Sequence, residues 1–225
     1  HKLHLHKCAI AEISRMADMP LEHRVIIPDG QKMTVVIPDV TSTCLYLNIT
    51  YEPEVRAFMR ATLQEVMTVF DVGAHMGYHT LLALNLVGES GKVVSFEPID
   101  EVYKILELNS NPYKNISLEK IAISDGVCSA ITLKYYGIRW AGQTTTKIPR
   151  IDGLRGTLPS PQLRNVKVVS IDQYVEASRN VPHFIKIDIE GEEMNALFGA
   201  QETIAHHKPH ITIETGDFGR DETNN

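Results

Sequence analysis

Cysteine is scarce in this 225-residue chain: Cys8, Cys44 and Cys128 are odd in number and widely spaced, with no C-x-x-C. That excludes a disulfide framework and a thiolate zinc site as organising devices. Tryptophan occurs once, at Trp140. No apolar run approaches the roughly 20 residues that a membrane-spanning helix requires, and no charged, apolar and small-residue succession marks a signal peptide. Positive charge is not in excess, because 22 Lys and Arg stand against 28 Asp and Glu, a formal net charge of −6. A general footprint for a polyanion is therefore missing, which argues against a nucleic-acid partner. These absences lead to the expectation of a soluble, cytoplasmic protein that associates with no membrane.

What is present is a globular composition, 43% hydrophobic and 22% charged, enough for a real core. Residues 1–50 are expected to form a small β-rich N-terminal appendage. His1, His4 and His6 read as a frayed strand, and "HRVIIPDG" and "KMTVVIP" as two strands joined at Asp29-Gly30. Residues 51–225 are expected to form the main domain, opened by a helix over 54–66 with Pro53 in its first turn and Val55, Phe58, Met59, Leu63 and Val66 on one face.

From Thr68 the pattern alternates: strand 68–72, helix 77–87, strand 92–96, helix 99–110, strand 116–122, then strand 183–188, helix 192–205 and strand 210–214. Short β-type runs separated by helical patterns imply an α/β fold with a doubly wound, mainly parallel sheet and helices on both faces. A ligand of such a sheet lies outside the carboxyl ends of its strands. An insert at 126–170 interrupts the alternation, with strands at "AITLKYY" and "VKVVSID" and a long polar loop around Trp140 between them.

The segment "VFDVGAHMGYHT" carries the chemistry. Gly73 permits a sharp turn after the strand, and Gly77 lets a ligand or a neighbouring element approach the helix start. A dinucleotide fingerprint requires a glycine where His75 stands, and Asp71 would repel a pyrophosphate. A sulfonium-bearing ligand reverses that electrostatic argument. Asp71 can accept from the turn amides or from an ammonium, and amides at the helix start suit a carboxylate. Glu97, twenty residues after Gly77 at the end of "KVVSFEP", is placed to bind two ribose hydroxyls, with Pro98 beside it. The backbone near Ala122 is expected at the adenine edge.

In order and spacing, "VFDVGAHMGYHT", "VVSFEP", "AISD", "VKVVSID", "FIKIDIEGEEMNALFGA" and "PHITIE" resemble the FkbM-type methyltransferases over roughly residues 51–215. The resemblance implies a class I, Rossmann-like fold that uses S-adenosyl-L-methionine, usually to methylate oxygen on small molecules or sugars. It places Asp71, Gly73, Gly77, Glu97 and Ala122 around that cofactor, and their neighbours Ala74, His75 and Pro98 are expected to bind it too. The family's usual asparagine is His75 here, and its sheet normally continues with two more strands after the position of Glu214, so either the C-terminal strands are truncated or the sheet is completed differently.

For the acceptor, Asp188 at the end of the fourth strand is the first choice for a polar role, with Glu190 two residues on. His75 is a candidate base and His79 a weaker one. Glu192 and Glu193 are expected to stabilise a helix N-terminus. Asp188 and Glu214, ending adjacent strands, offer a site for Mg²⁺, but the expectation is of catalysis without a metal. The Trp140 loop and the N-terminal segment are expected to cover a small-molecule or sugar acceptor. Two alternatives stand in other classes, a dinucleotide-dependent oxidoreductase and a non-catalytic S-adenosylmethionine-binding module.

Overall fold

The computed structural model describes residues 2–147 and 158–214. The parallel sheet is built as the alternation requires. It has five strands in the order β10-β9-β3-β4-β5: β3 (Thr68–Val72), β4 (Lys92–Phe96), β5 (Ile116–Glu119), β9 (Phe184–Ile187) and β10 (His210–Ile213). Every pairing in it is parallel. Alternate residues of β3 serve opposite faces. Val69 packs with α4 (Tyr78–Val87) and α5 (Asp100–Ser110), while Phe70 and Val72 pack with α6 (Ile171–Ser178), α7 (Glu193–Phe198) and α8 (Gln201–His207). Burial on both faces explains why the strands read as continuous apolar runs.

The N-terminal segment is not β-rich. It begins with the 16-residue α1 (Lys2–Ala17), so the expected frayed strand at His4 and His6 is helical, while His1 lies outside the described residues. The hairpin of β1 (Leu21–Ile26) and β2 (Lys32–Ile37) forms as expected and is followed by α2 (Val40–Tyr46). Asp29 in the hairpin turn is more than a turn residue, since its buried carboxylate is ion-paired with Arg56 and Arg60. Those arginines belong to α3 (Pro53–Thr62), which stops before the expected residue 66. Val66 takes a left-handed backbone with φ 67° and donates its N–H to Val87 O at 3.1 Å. The core runs without a break from Val35 and Ile37 to Leu81 and Phe184.

Three further boundaries shift for physical reasons. The expected strand 116–122 splits into β5 and β6 (Ala122–Ile123), and β6 joins β7 (Ala130–Tyr135) and β8 (Gln162–Val169) in a separate three-stranded sheet. The strand expected through Asp172 ends at Val169, because Ser170 and Gln173 form a capping box that starts α6. The helix expected over 192–205 is broken into α7 and α8 at Gly199, where a Cβ would stand 2.2 Å from Ser124 O. The α8 amides of Glu202 and Thr203 then donate to Asp172 at 3.0 and 2.8 Å. Within the insert the expected polar loop contains a short 3₁₀ helix, Ile138–Gln143. Among the described residues no helix is long and apolar enough to cross a membrane.

Candidate active site

A cleft opens at the carboxyl ends of β3, β4 and β9. Gly73, Ala74, His75, Glu97, Pro98, Ala122, Asp188 and Glu190 all contribute to its wall. Asp71 and Gly77 do not.

The turn between β3 and α4 explains both exceptions. Asp71 is 1% exposed and accepts from Thr80 Oγ1 at 2.6 Å, with Lys186 Nζ 3.6 Å from its other oxygen. It therefore does not gather the turn amides, as the sequence suggests. Gly73 N and Ala74 N both donate to Phe96 O, at 3.1 and 3.0 Å, and Gly77 N donates to Ala74 O at 2.9 Å. His75 N donates to Glu97 Oε2 at 3.2 Å. These four amides are used within the protein, and none of them is given to Asp71. The glycines act by close packing. A Cβ on Gly73 would stand 1.8 Å from Asp188 O, and one on Gly77 would stand 2.9 Å from Leu106 Cδ1. Gly73 thus sets the end of β3 against the end of β9, at Asp188.

Glu97 closes the other side. Its second oxygen accepts from Ile99 N at 2.9 Å, so the carboxylate is fixed by two backbone donors while facing the cleft. Burial pushes its pKa up, and the two amide bonds and His75 oppose that shift. Around it Phe96, Ile121, Ala122, Ile123 and Leu133 make an apolar slot.

The β9 side is charged. Lys186 is buried in the strand, with Nζ 3.0 Å from Asp188 Oδ2. Burial works against both charges, but they outweigh it for each other: Lys186 is held above the usual lysine range and Asp188 below the usual carboxylate range. Glu190 is pushed up to about 8 by burial and by the charges of Asp188 and Glu193. Glu214 is pushed up to about 9 by its hydrogen bond with Asp188 and by burial. Among the described residues the Glu190 carboxylate has no hydrogen-bond donor. Left-handed backbone at Glu52, His75 and Glu190, with φ 42°, 52° and 53°, concentrates strain around this cleft.

The remaining candidates divide. The His75 imidazole directs Nε2 to Asp39, the α2 cap, at 3.6 Å, which does not favour a base role at the acceptor. His79 is buried, and burial holds its pKa well below 6.5, so it is neutral. Glu193 accepts from Ile189 N and Gly191 N at 3.1 and 2.9 Å, and Glu192 accepts from Asn195 Nδ2 at 2.7 Å. Glu193 thereby holds the turn that starts α7, whereas Glu192 lines the cleft. Trp140 is half-buried beneath Arg139, 4.8 Å from its ring centre, and does not reach the cleft. The insert contributes Ala141, Gly142 and Thr144 instead, and Thr145 Oγ1 fastens it to Glu190 O at 2.6 Å. The N-terminal segment contributes Thr41 and Tyr51.

Sequence reasoning passed over Lys186, Glu52, Tyr51 and Thr41. Lys186 carried a signal, since a lysine inside the apolar run "FIKI" must be buried with a partner. The others come from a segment whose position only the tertiary fold determines.

The family model described as "Methyltransferase FkbM domain" matches residues 71–225. No curated protein sequence matches the chain significantly. Similar solved structures include a SAM-dependent O-methyltransferase from Thermotoga maritima, 23% identical over 46% of this chain and 42% of that one, with a TM-score of 0.32. A SAM-dependent methyltransferase from Aquifex aeolicus is 28% identical over 34% and 41% of the two chains, with a TM-score of 0.30. Precorrin-6y C5,15-methyltransferase from Geobacter metallireducens is 14% identical over 68% and 57%, with a TM-score of 0.37. The chain spans less than two thirds of the length of each. At these scores the fold rests on the chain's own strand order and on the family match.

Proposed function

The chain belongs to the FkbM methyltransferase family, and from that membership we propose that it transfers a methyl group from S-adenosyl-L-methionine to a hydroxyl of a small molecule or sugar. The observation that carries the choice of cofactor is the wiring of the turn. With Gly73 and Ala74 amides spent on Phe96 O and the Glu97 carboxylate in the wall, a pyrophosphate would find a negative charge and few donors. This disfavours a dinucleotide-dependent oxidoreductase and suits an adenosyl ligand without phosphates.

The residues fit that ligand. Each oxygen of Glu97 accepts one backbone N–H and keeps a lone pair free, so the fixed carboxylate can take both ribose hydroxyls. The apolar slot formed by Phe96, Ile121, Ala122 and Ile123 accepts a flat base. When bound, the cofactor supplies a methyl group already activated on sulfur, and alignment with the acceptor provides much of the acceleration. Asp188, kept ionised by Lys186, orients the acceptor hydroxyl, and the Glu190 carboxylate, which has no hydrogen-bond donor among the described residues, receives its proton. A cytoplasmic setting is part of the same proposal.

Calorimetric titration with S-adenosylhomocysteine tests it: binding is expected, and none at millimolar ligand overturns the reading. Glu97→Gln places an NH₂ against one of the two backbone donors and loses the bidentate ribose contact. Its affinity should fall at least tenfold, about 1.4 kcal/mol. Glu190→Gln should leave that affinity unchanged and lower kcat by about 10²–10⁴-fold, the usual contribution of a general base. An unchanged kcat would assign the proton to another group.

A further inference from the structure

On the side of β3 away from Glu97, carboxyl groups converge around a single ammonium, with Lys186 Nζ 3.6 Å from Asp71 and 3.0 Å from Asp188. Glu52, Asp188 and Glu214 each bring one oxygen to within 4.8 Å of the others. They come from three places in the chain: the segment before α3, the end of β9 and the end of β10. In an octahedron with metal–oxygen distances of about 2.0–2.1 Å, ligand oxygens lie roughly 3–4 Å apart, so small side-chain rotations close the set.

An independent group points into the same place. Among the described residues the His79 side chain, 7% exposed, has no hydrogen-bond partner for its Nε2, which approaches Glu52 Oε2 at 3.6 Å. Glu52 Oε2 is likewise buried and without a partner. A buried imidazole nitrogen left unsatisfied is costly unless something else completes it. A water held on a metal ion beside Glu52 would do so.

We propose that Glu52, Asp188 and Glu214 bind a divalent cation of the Mg²⁺/Mn²⁺ class, with His79 accepting a hydrogen bond from one of its water ligands. The all-carboxylate set selects a hard ion over zinc or copper, and such ions keep several waters. Resting on the methyl-transfer reading, the site narrows the acceptor class to molecules with two neighbouring oxygens. Both would replace waters on the ion, and the hydroxyl to be methylated would lose its proton more readily.

The test is a titration of the purified chain with Mn²⁺, following the free-ion electron paramagnetic resonance signal, alongside the S-adenosylhomocysteine titration on the same preparation. One Mn²⁺ per chain is expected, weakened about 10–100-fold or more by Glu214→Gln and by Glu52→Gln. Glu214 ends an edge strand, so its variant keeps the fold if Glu52→Gln does not. No loss of free Mn²⁺ signal overturns the site, as does binding that neither variant weakens, the signature of the histidines of α1. S-adenosylhomocysteine binding without Mn²⁺ binding sinks the cation site alone. Mn²⁺ binding that depends on Glu214, without S-adenosylhomocysteine binding, upholds the site and sinks the methyl-donor reading.

Discussion

Replacing Lys186 with methionine should cost the fold about 3–5 kcal/mol, read as a drop in the urea midpoint of unfolding. The reason is not that the ion pairs are strong in isolation. Lys186 lies in β9 between β3 and β10, 4% exposed, and its ammonium is the charge nearest both Asp71 and Asp188. Methionine fills much the same space but leaves two carboxylates in a poorly solvated interior, and that uncompensated charge is what destabilises. Adding Asp71→Asn should recover part of the loss, since asparagine can keep the contact with Thr80 and carries no charge. If the single variant loses under about 1 kcal/mol, the two aspartates are stabilised by something other than this lysine.

Gly73→Ala should be nearly as damaging, at about 2–6 kcal/mol, combining about 1–3 for a left-handed backbone and about 1–3 for overpacking. Its φ is +80°, and the new methyl would meet the backbone oxygen of Asp188 at 1.8 Å and its carbonyl carbon at 2.9 Å. Backbone cannot step aside as a flexible side chain can. Gly30→Ala is the internal control, for it shares the left-handed φ of +83° but has open space around it. The difference between the two variants, measured by thermal or urea unfolding, isolates the contact with Asp188. Equal losses would mean that the turn and β9 do not press on each other.

That contact also shows what the sequence could and could not reveal. The five-stranded sheet was legible because its strands are short apolar runs separated by helical periodicity, and β3 and β4 were expected at their observed bounds. Gly73 was legible as a turn residue, but its partner was not, because β9 is more than a hundred residues away. Asp71 was legible as a significant acid and misread as a cleft-facing one. Its surroundings depend on Thr80, Ser95 and Lys186 converging from three elements. The N-terminal helix was missed because the alternation of Leu3, His4, Leu5 and His6 imitates a strand over a few residues. The break at Gly199 reflects an approach to Ser124 that no local pattern encodes.

Asn109, on α5, donates to Thr34 O and Met76 O at 2.9 and 2.8 Å and accepts from Thr34 N at 2.7 Å. One amide thereby ties the second hairpin strand to the turn between β3 and α4. A fragment cut just before residue 51, at the start of the main domain expected from the sequence, would strand that amide and bare the faces of Leu81 and Leu82. It should come out of the cell as insoluble material, because the first fifty residues form the floor beneath the turn.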